Sequence, residues 1–521
     1  MRRDALAAAA AGLVVAFQAS AQDGPAAGPT LPTIVVTPGL GAAQRAFDTP
    51  ASIDVVPGSA LRDDKLGINL SESLARVPGL TALNRQNYAQ DVQISSRGYG
   101  ARSTFGVRGL RLYTDGIPAT APDGQSQVSH FDLFSADRIE VLRGPFSALY
   151  GNSSGGVINL FTADGGPDTV AEIGGAIGSD GIRRINARLS GQQGQWQYSL
   201  SATDFETDGV RDWSAAQRRG FNGKLKYRPG TDTSLTLVLN QVDMPDVQDP
   251  LGLTRAEFQA NPRAASPVAR PFRTRKSVDQ VQAGVVLEHR LDADDSFKLT
   301  GWRGRRGTEQ YQAIPTTTQV PITQPGGVIG LAREYQGLDA QWTHKTRLAG
   351  APLSVTAGVY ADSLDEERKG WQNFTGPAAA PTALGVQGTL RRDEANRARS
   401  FDQYVQGVWS SEKVSITAGV RHSRVAFKST DRFVSGANGD DSGAVTYGAT
   451  TPVLGIVWHA TDALNLYVSA GKGFETPTFN ELAYRPGGGG LNTALRPARS
   501  RQWELGAKAL LAADWQAQAA V

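Results

Sequence analysis

DRIEVLRGPFSALYGNSSGGVINLFT, residues 137–162, decides how the whole chain is read. Two apolar runs, 139–142 and 157–161, are each too short for a helix and right for a strand. Between them Gly144, Gly151, Gly155 and Gly156 permit a tight turn. The stretch predicts a strand–turn–strand unit of a small domain rather than an enzyme core.

Working outward, residues 51–165 read as one small α+β domain. Strands are expected at 52–56, 93–97 and 110–113, with a turn at Asp115-Gly116. A short helix is expected at 69–76, ended by Pro78 and Gly79. Residues 22–50 form a linker rich in Pro, Gly and Ala, unable to bury a core. Within it Thr33, Ile34, Val35, Val36 and Thr37 make a β-branched run. Two readings fit that run: a strand that adds to the sheet edge of a partner, or the first strand of the following domain. At the N-terminus Arg2 and Arg3 precede an apolar run, 5–17, and then Ala19-Ser20-Ala21. This is a secretory signal, residues 1–21, too short to span a bilayer, which takes about 20 residues.

The chain has 521 residues, 59 of them Gly and none Cys, with a formal charge of +3. Disulfides and thiolate metal sites are excluded, and neither a nucleic-acid stripe nor an acidic tail is indicated. His130, His289, His344, His422 and His459 are scattered without H-x-x-x-H spacing, so no metal site is expected. The Gly-rich residues 151–156 are followed by a strand and no Gly-Lys-Ser/Thr, unlike a phosphate loop. Ser147 lacks a G-x-S-x-G elbow. No catalytic set and no intrinsic cofactor emerge, and the chain is read as a non-enzyme.

From residue 166 to 521 the texture changes to alternating strands. Leu235, Leu237 and Leu239 alternate with polar or small residues, as do Val414, Ile416, Ala418 and Val420, then Leu464, Leu466 and Val468. Soluble propellers and sandwiches alternate too. Connection lengths discriminate better: short polar turns take turns with long segments at 206–218, 243–277, 307–332, 363–399, 427–447 and 473–500. That rhythm is the mark of an outer-membrane barrel, with short periplasmic turns and long extracellular loops. The fold class expected is mainly β, an antiparallel transmembrane barrel behind an N-terminal α+β domain. Roughly fifteen strands are counted, the last starting near Trp515, whereas the large transporter barrels have about 22. The chain is therefore expected to be a C-terminally truncated piece, short of about seven strands.

The quoted stretch resembles the plug domain of the TonB-dependent outer-membrane receptors, whose IERIEVLRGP, SALYG and GGVIN pattern recurs here at the same spacing. The segment GFETPTFNEL, 473–482, before the strand carrying E-L-G-x-K, extends the likeness. The resemblance implies that residues 33–37 are a TonB box, that residues 51–165 plug a barrel, and that the chain sits in the bacterial outer membrane as a multi-pass monomer. It implies TonB-dependent import energised from the inner membrane, with TonB and its energising complex as partners. Lipopolysaccharide is a further expected contact, and nucleic acid is not. A passive outer-membrane porin or another ligand-binding barrel is the alternative. A ferric siderophore is the common cargo. A narrower resemblance, carried by Gln86 to Asp91, Arg102-Ser103-Thr104, Gly116 to Thr120 and Pro122 to Gln125, is to receptors for pyrroloquinoline quinone.

Site residues follow from both lines. Arg97 and Arg143, each before a glycine, need carboxylates if they face a barrel lumen. Glu504 points opposite Trp503 and Leu505, hence inward if those meet lipid. The resemblance pairs plug arginines with barrel glutamates, so Arg97 or Arg143 is expected to meet Glu504 and lock plug to barrel. Arg85, Tyr88 and Arg102 are candidate ligand contacts, or ordinary solvated turns. The loop holding Arg263, Arg270, Arg273, Arg275 and Lys276 has three readings: anionic substrate, lipopolysaccharide or solvation.

Overall fold

A computed structural model describes residues 35–36, 44–83, 86–103, 106–483, 490–512 and 515–521. The signal at 1–21, Thr33, Ile34, Thr37 and Arg85 lie outside these described residues.

The strand Ala136–Arg143 pairs with Gly156–Thr162 on one side and Ser52–Pro57 on the other, both antiparallel. Gly156–Thr162 then runs parallel to Leu110–Thr114, which turns back into Ile117–Pro118. These make a 5-stranded sheet. Its inner face packs Val56, Leu61, Leu74, Leu112, Ile139, Val141, Ile158 and Leu160 into one buried cluster. The turn of the quoted stretch opens as a short 3-10 helix, Pro145–Tyr150, bracketed by Gly144 at φ +88° and Gly151 at φ +97°. The helix expected at 69–76 contracts to Ser71–Leu74. Glu72 fixes the chain leading into it: the carboxylate accepts from the backbone N–H of Gly67, Ile68 and Asn69 at 2.7, 3.0 and 2.7 Å.

Downstream, a 15-stranded sheet runs from Val170–Ile177 to Trp515–Ala520, each strand antiparallel to the next along the chain. Among the described residues those two terminal strands do not pair with one another. Alternation sorts the faces as the sequence implied. Leu237 and Leu239 are exposed on the outer face, while Thr236, Val238 and Asn240 are buried inside. Trp196, Trp342 and Trp458 are exposed near the short turns, an aromatic girdle at one rim.

The strands run further than the loop lengths suggested. Val328–Leu348, Ala351–Trp371 and Leu390–Ser410 have 21 residues each, whereas about 9–11 cross a bilayer. The ladders continue past the lipid because each strand still has a paired neighbour, so the long connections shrink to 249–274, 312–327 and 372–389. On the same side, connection 178–182 is short.

The small domain sits inside the curved sheet. One apolar cluster joins Ile53, Ile117, Leu142, Phe146 and Leu149 of the first with Val238, Trp302, Tyr360, Tyr404 and Val453 of the second.

Candidate ligand-binding chamber

Two layers of polar contacts hold the inner domain, and above them lies a chamber. In the lower layer Glu504 is fully buried while its neighbours Trp503 and Leu505 are 72% and 58% exposed, as the parity of their strand requires. One carboxylate oxygen forms an ion pair with Arg97. The other accepts from the Ser52 backbone N–H at 2.9 Å, the Ser52 hydroxyl at 3.0 Å and the Tyr467 hydroxyl at 2.6 Å. Gly144 makes room: a Cβ there would lie 2.8 Å from the Glu504 carboxylate.

Arg143 does not join this cluster, which corrects one of the two expected pairings. It pairs with Asp54 and the Pro78 carbonyl. The register is the reason: Arg143 faces Ser52 and Val141 faces Asp54, so Asp54 is the diagonal neighbour of Arg143 on one sheet face.

Nearby, Lys508 is buried and donates to the carbonyls of Ala46 and Thr49 at 2.6 and 2.7 Å. Arg421 and Asp402 form a buried pair at 2.6 Å, and Arg421 also holds the Leu149 carbonyl at 2.8 Å. The GFETPTFNEL segment makes the upper layer. Asn152 and Thr476 exchange hydrogen bonds at 2.8 and 2.9 Å. Arg108 pairs with Glu481 and donates to the Thr476 carbonyl at 3.2 Å.

The chamber has a volume of about 470 Å³. Lys276, Arg306, Arg333, Arg368, Lys369 and Arg392 line it, with Asp91 and Asp441 as its carboxylates. Gln125 and Gln127 of the inner domain are among the residues that border it. Lys276 is held by Asp91 at 3.0 Å. Burial pushes the Asp91 carboxyl up, but Lys276 and Arg306 outweigh it and keep it below the usual carboxylate range. The wall cations were not singled out from sequence apart from Lys276. Parity carried the signal: in Asp295–Tyr311 the buried Thr300, Trp302, Gly304 and Arg306 alternate with exposed Arg303 and Arg305.

The three ligand candidates from sequence fall elsewhere. Tyr88 packs on Phe205 with ring centroids 5.1 Å apart and borders a small side cavity. Burial, then Glu72, push its hydroxyl up to about 12. Arg102 is exposed and is not among the chamber's lining residues. The backbone of Val35–Val36 pairs with Gln44–Arg45 of its own chain. In the basic loop, Arg263 pairs with Asp180 and Arg270 with Asp212 at 3.7 Å.

The geometry is that of a domain plugging a barrel under a basic vestibule, and sequence comparison agrees. The model described as "TonB dependent receptor-like, beta-barrel" matches residues 144–521, and the "TonB-dependent Receptor Plug Domain" model matches 45–157. The chain belongs to the TonB-dependent receptors. Barrels of this family lie in the outer membrane, and this receptor lies there with them. A vitamin B12 transporter, BtuB, of Photobacterium profundum is 25% identical over 473 residues, 88% of this chain and 65% of that protein. The receptor thus spans about two thirds of that relative's length. The pesticin receptor of Yersinia pestis is 33% identical over 163 residues, 30% of this chain and 23% of that one. Among solved structures, the siderophore receptor PiuA of Acinetobacter baumannii superposes with a TM-score of 0.73 at 16% identity, over 92% of this chain and 72% of that one. The ferric yersiniabactin uptake receptor FyuA of Yersinia pestis gives 0.71 at 20%, over 90% and 71%. At these identities the superpositions speak to the fold. The relatives are transporters and receptors rather than enzymes.

Proposed function

We propose that this receptor imports a scarce anionic substrate across the outer membrane, driven by TonB. The observation that carries the reading is the plug seated under a basic chamber and fastened to the wall by Glu504, Lys508 and Arg421. Passage through such a lumen needs the plug to be moved, and nothing in the receptor's own chemistry supplies the work. A passive porin keeps a polar, water-filled channel, which is the opposite arrangement. The TonB box at Thr33, Ile34, Val35, Val36 and Thr37 offers backbone for strand addition to TonB, whose inner-membrane complex supplies the energy.

The cargo follows from the wall. Six cations around one chamber favour a ligand bearing carboxylates or other anionic donors. A ferric siderophore and pyrroloquinoline quinone both meet that requirement, and the likeness to siderophore receptors supports the first. The receptor itself holds no resident cofactor in this reading and works as a monomer, its outer loops against lipopolysaccharide.

Titration of the TonB periplasmic domain onto the purified receptor tests the partner. Binding is expected with the native box and lost in Val35→Pro, because proline removes a ladder donor. Equal binding by both forms sinks the box assignment.

A further inference from the structure

We infer that Arg306 is the residue through which the chamber takes a carboxylate of its ligand and passes the event to the plug. The inference rests on the basic-chamber reading above. Arg306 is 5% exposed and borders the chamber together with two smaller cavities of about 50 Å³ each, wedged between plug and wall. Its position joins the three spaces.

Its bonding sets it apart from Lys276, Arg333, Lys369 and Arg392, each of which has a carboxylate within 4 Å. Arg368 shares its lack of an ion pair among the described residues but borders the chamber alone, not the two smaller cavities. Lys276 has Asp91 at 3.0 Å, and Arg333 has Glu366 at 2.6 Å. Arg306 forms no ion pair among the described residues; its acceptors are neutral, Ser129 Oγ at 2.8 Å, Gln280 Oε1 at 2.5 Å and Gln127 Oε1 at 3.3 Å. A desolvated guanidinium held by amides and a hydroxyl gains most from a carboxylate, which matches its fork with two parallel charged hydrogen bonds.

Two of those neutral acceptors, Ser129 and Gln127, belong to the plug. A carboxylate that takes the fork draws the guanidinium from them and slackens plug residues 118–131, whose chain also borders the second small cavity. His130 lies in the same segment, buried, with neither ring nitrogen hydrogen-bonded among the described residues. Arg218 keeps the carbonyls of Ser129 and Phe131 at 3.0 and 3.1 Å, so the slackening centres on Gln127, the Ser129 side chain and His130. Binding and plug loosening become one event at one residue, for mono- or polycarboxylate ligands and their metal chelates.

Citrate serves as the probe, with calorimetry for affinity and hydrogen exchange for residues 118–131 of the purified receptor. Citrate is expected to bind and to speed exchange in that segment. Arg306→Gln is expected to weaken citrate about tenfold or more and abolish the exchange response. Arg306→Lys, which keeps the charge without the fork, is expected to fall between and carries the test if the first variant misfolds. Arg303→Gln, on the outer face of the same strand, is expected to change neither readout. Citrate binding by both Arg306 variants within about twofold of native, or an unchanged segment in the native receptor, overturns the inference. If the native receptor takes a neutral trisaccharide and no citrate, the basic-chamber reading itself has failed first.

Discussion

Arg97 of the plug and Glu504 of the barrel wall meet in an ion pair, 407 residues apart in the chain. The pair is asymmetric, with Arg97 one-third exposed and Glu504 sealed among Ser52, Tyr467 and the plug backbone. Glu504→Ala strands a guanidinium, a buried N–H and two hydroxyls at once. The expected loss is about 3–5 kcal/mol of plug docking. A double-mutant cycle with Arg97→Gln and Glu504→Gln is expected to give a coupling of about 1–3 kcal/mol, read from thermal unfolding in detergent. Additive effects would mean the two residues do not act as a lock.

Lys508 ties down the start of the plug through two carbonyls. Lys508→Met removes both charge-assisted bonds at nearly constant volume. Arg45, exposed and just ahead of Ala46, supplies a trypsin site that reports on the segment. Cleavage there is expected to rise about tenfold, the worth of a charged hydrogen bond. Unchanged cleavage would show that the segment is held by other contacts.

His130 gives the plug a pH dependence with a definite sign. Burial, then Arg306 and Arg218, hold its pKa down at about 3, below the ordinary 6.5. Its contribution to stability is fully present above 6.5 and is lost as pH falls toward 3, because the unfolded chain binds the proton first. The cost is about 2 kcal/mol at pH 5. Asp91, also held low, acts in the same direction at the acid end. Melting temperatures measured between pH 7 and 5 are expected to fall by about 2–4 °C per kcal/mol, and His130→Asn to flatten that fall. A variant that melts with the native pH profile removes His130 from the account.

The outer face of the wall is set by parity, and one substitution tests it. Leu237→Arg puts a cation on the lipid face, where the cost reaches about 2–4 kcal/mol at mid-membrane. Reduced folding into bilayers is expected, whereas Gln241→Arg, nearer the strand's outer end on the same face, is expected to cost less. Equal effects would place the lipid band elsewhere.

The plug role comes from the resemblance of the motif, whereas local periodicity makes the strands of the quoted stretch, the barrel and its strand number legible. Glu504 was legible for the same reason: Trp503 and Leu505 fix which way it points. Arg143 was not, since its partner depends on a register between strands far apart in sequence. Arg368 and Arg392 escaped because 363–399 read as loop although the ladders continue to Trp371 and resume at Leu390. Arg306 and Arg333 escaped because they sit at the two edges of the segment 307–332 read as loop. Extending the parity of Trp302 by two steps turns Arg306 inward.

Accumulation of ligand in cells with and without TonB tests the central claim most directly, using a radio-iron polycarboxylate chelate and labelled pyrroloquinoline quinone as the two probes. At least one is expected to accumulate above its outside concentration only when TonB is present and residues 33–37 are intact. Uptake that persists at the same rate without TonB would contradict energised import and leave a passive pore.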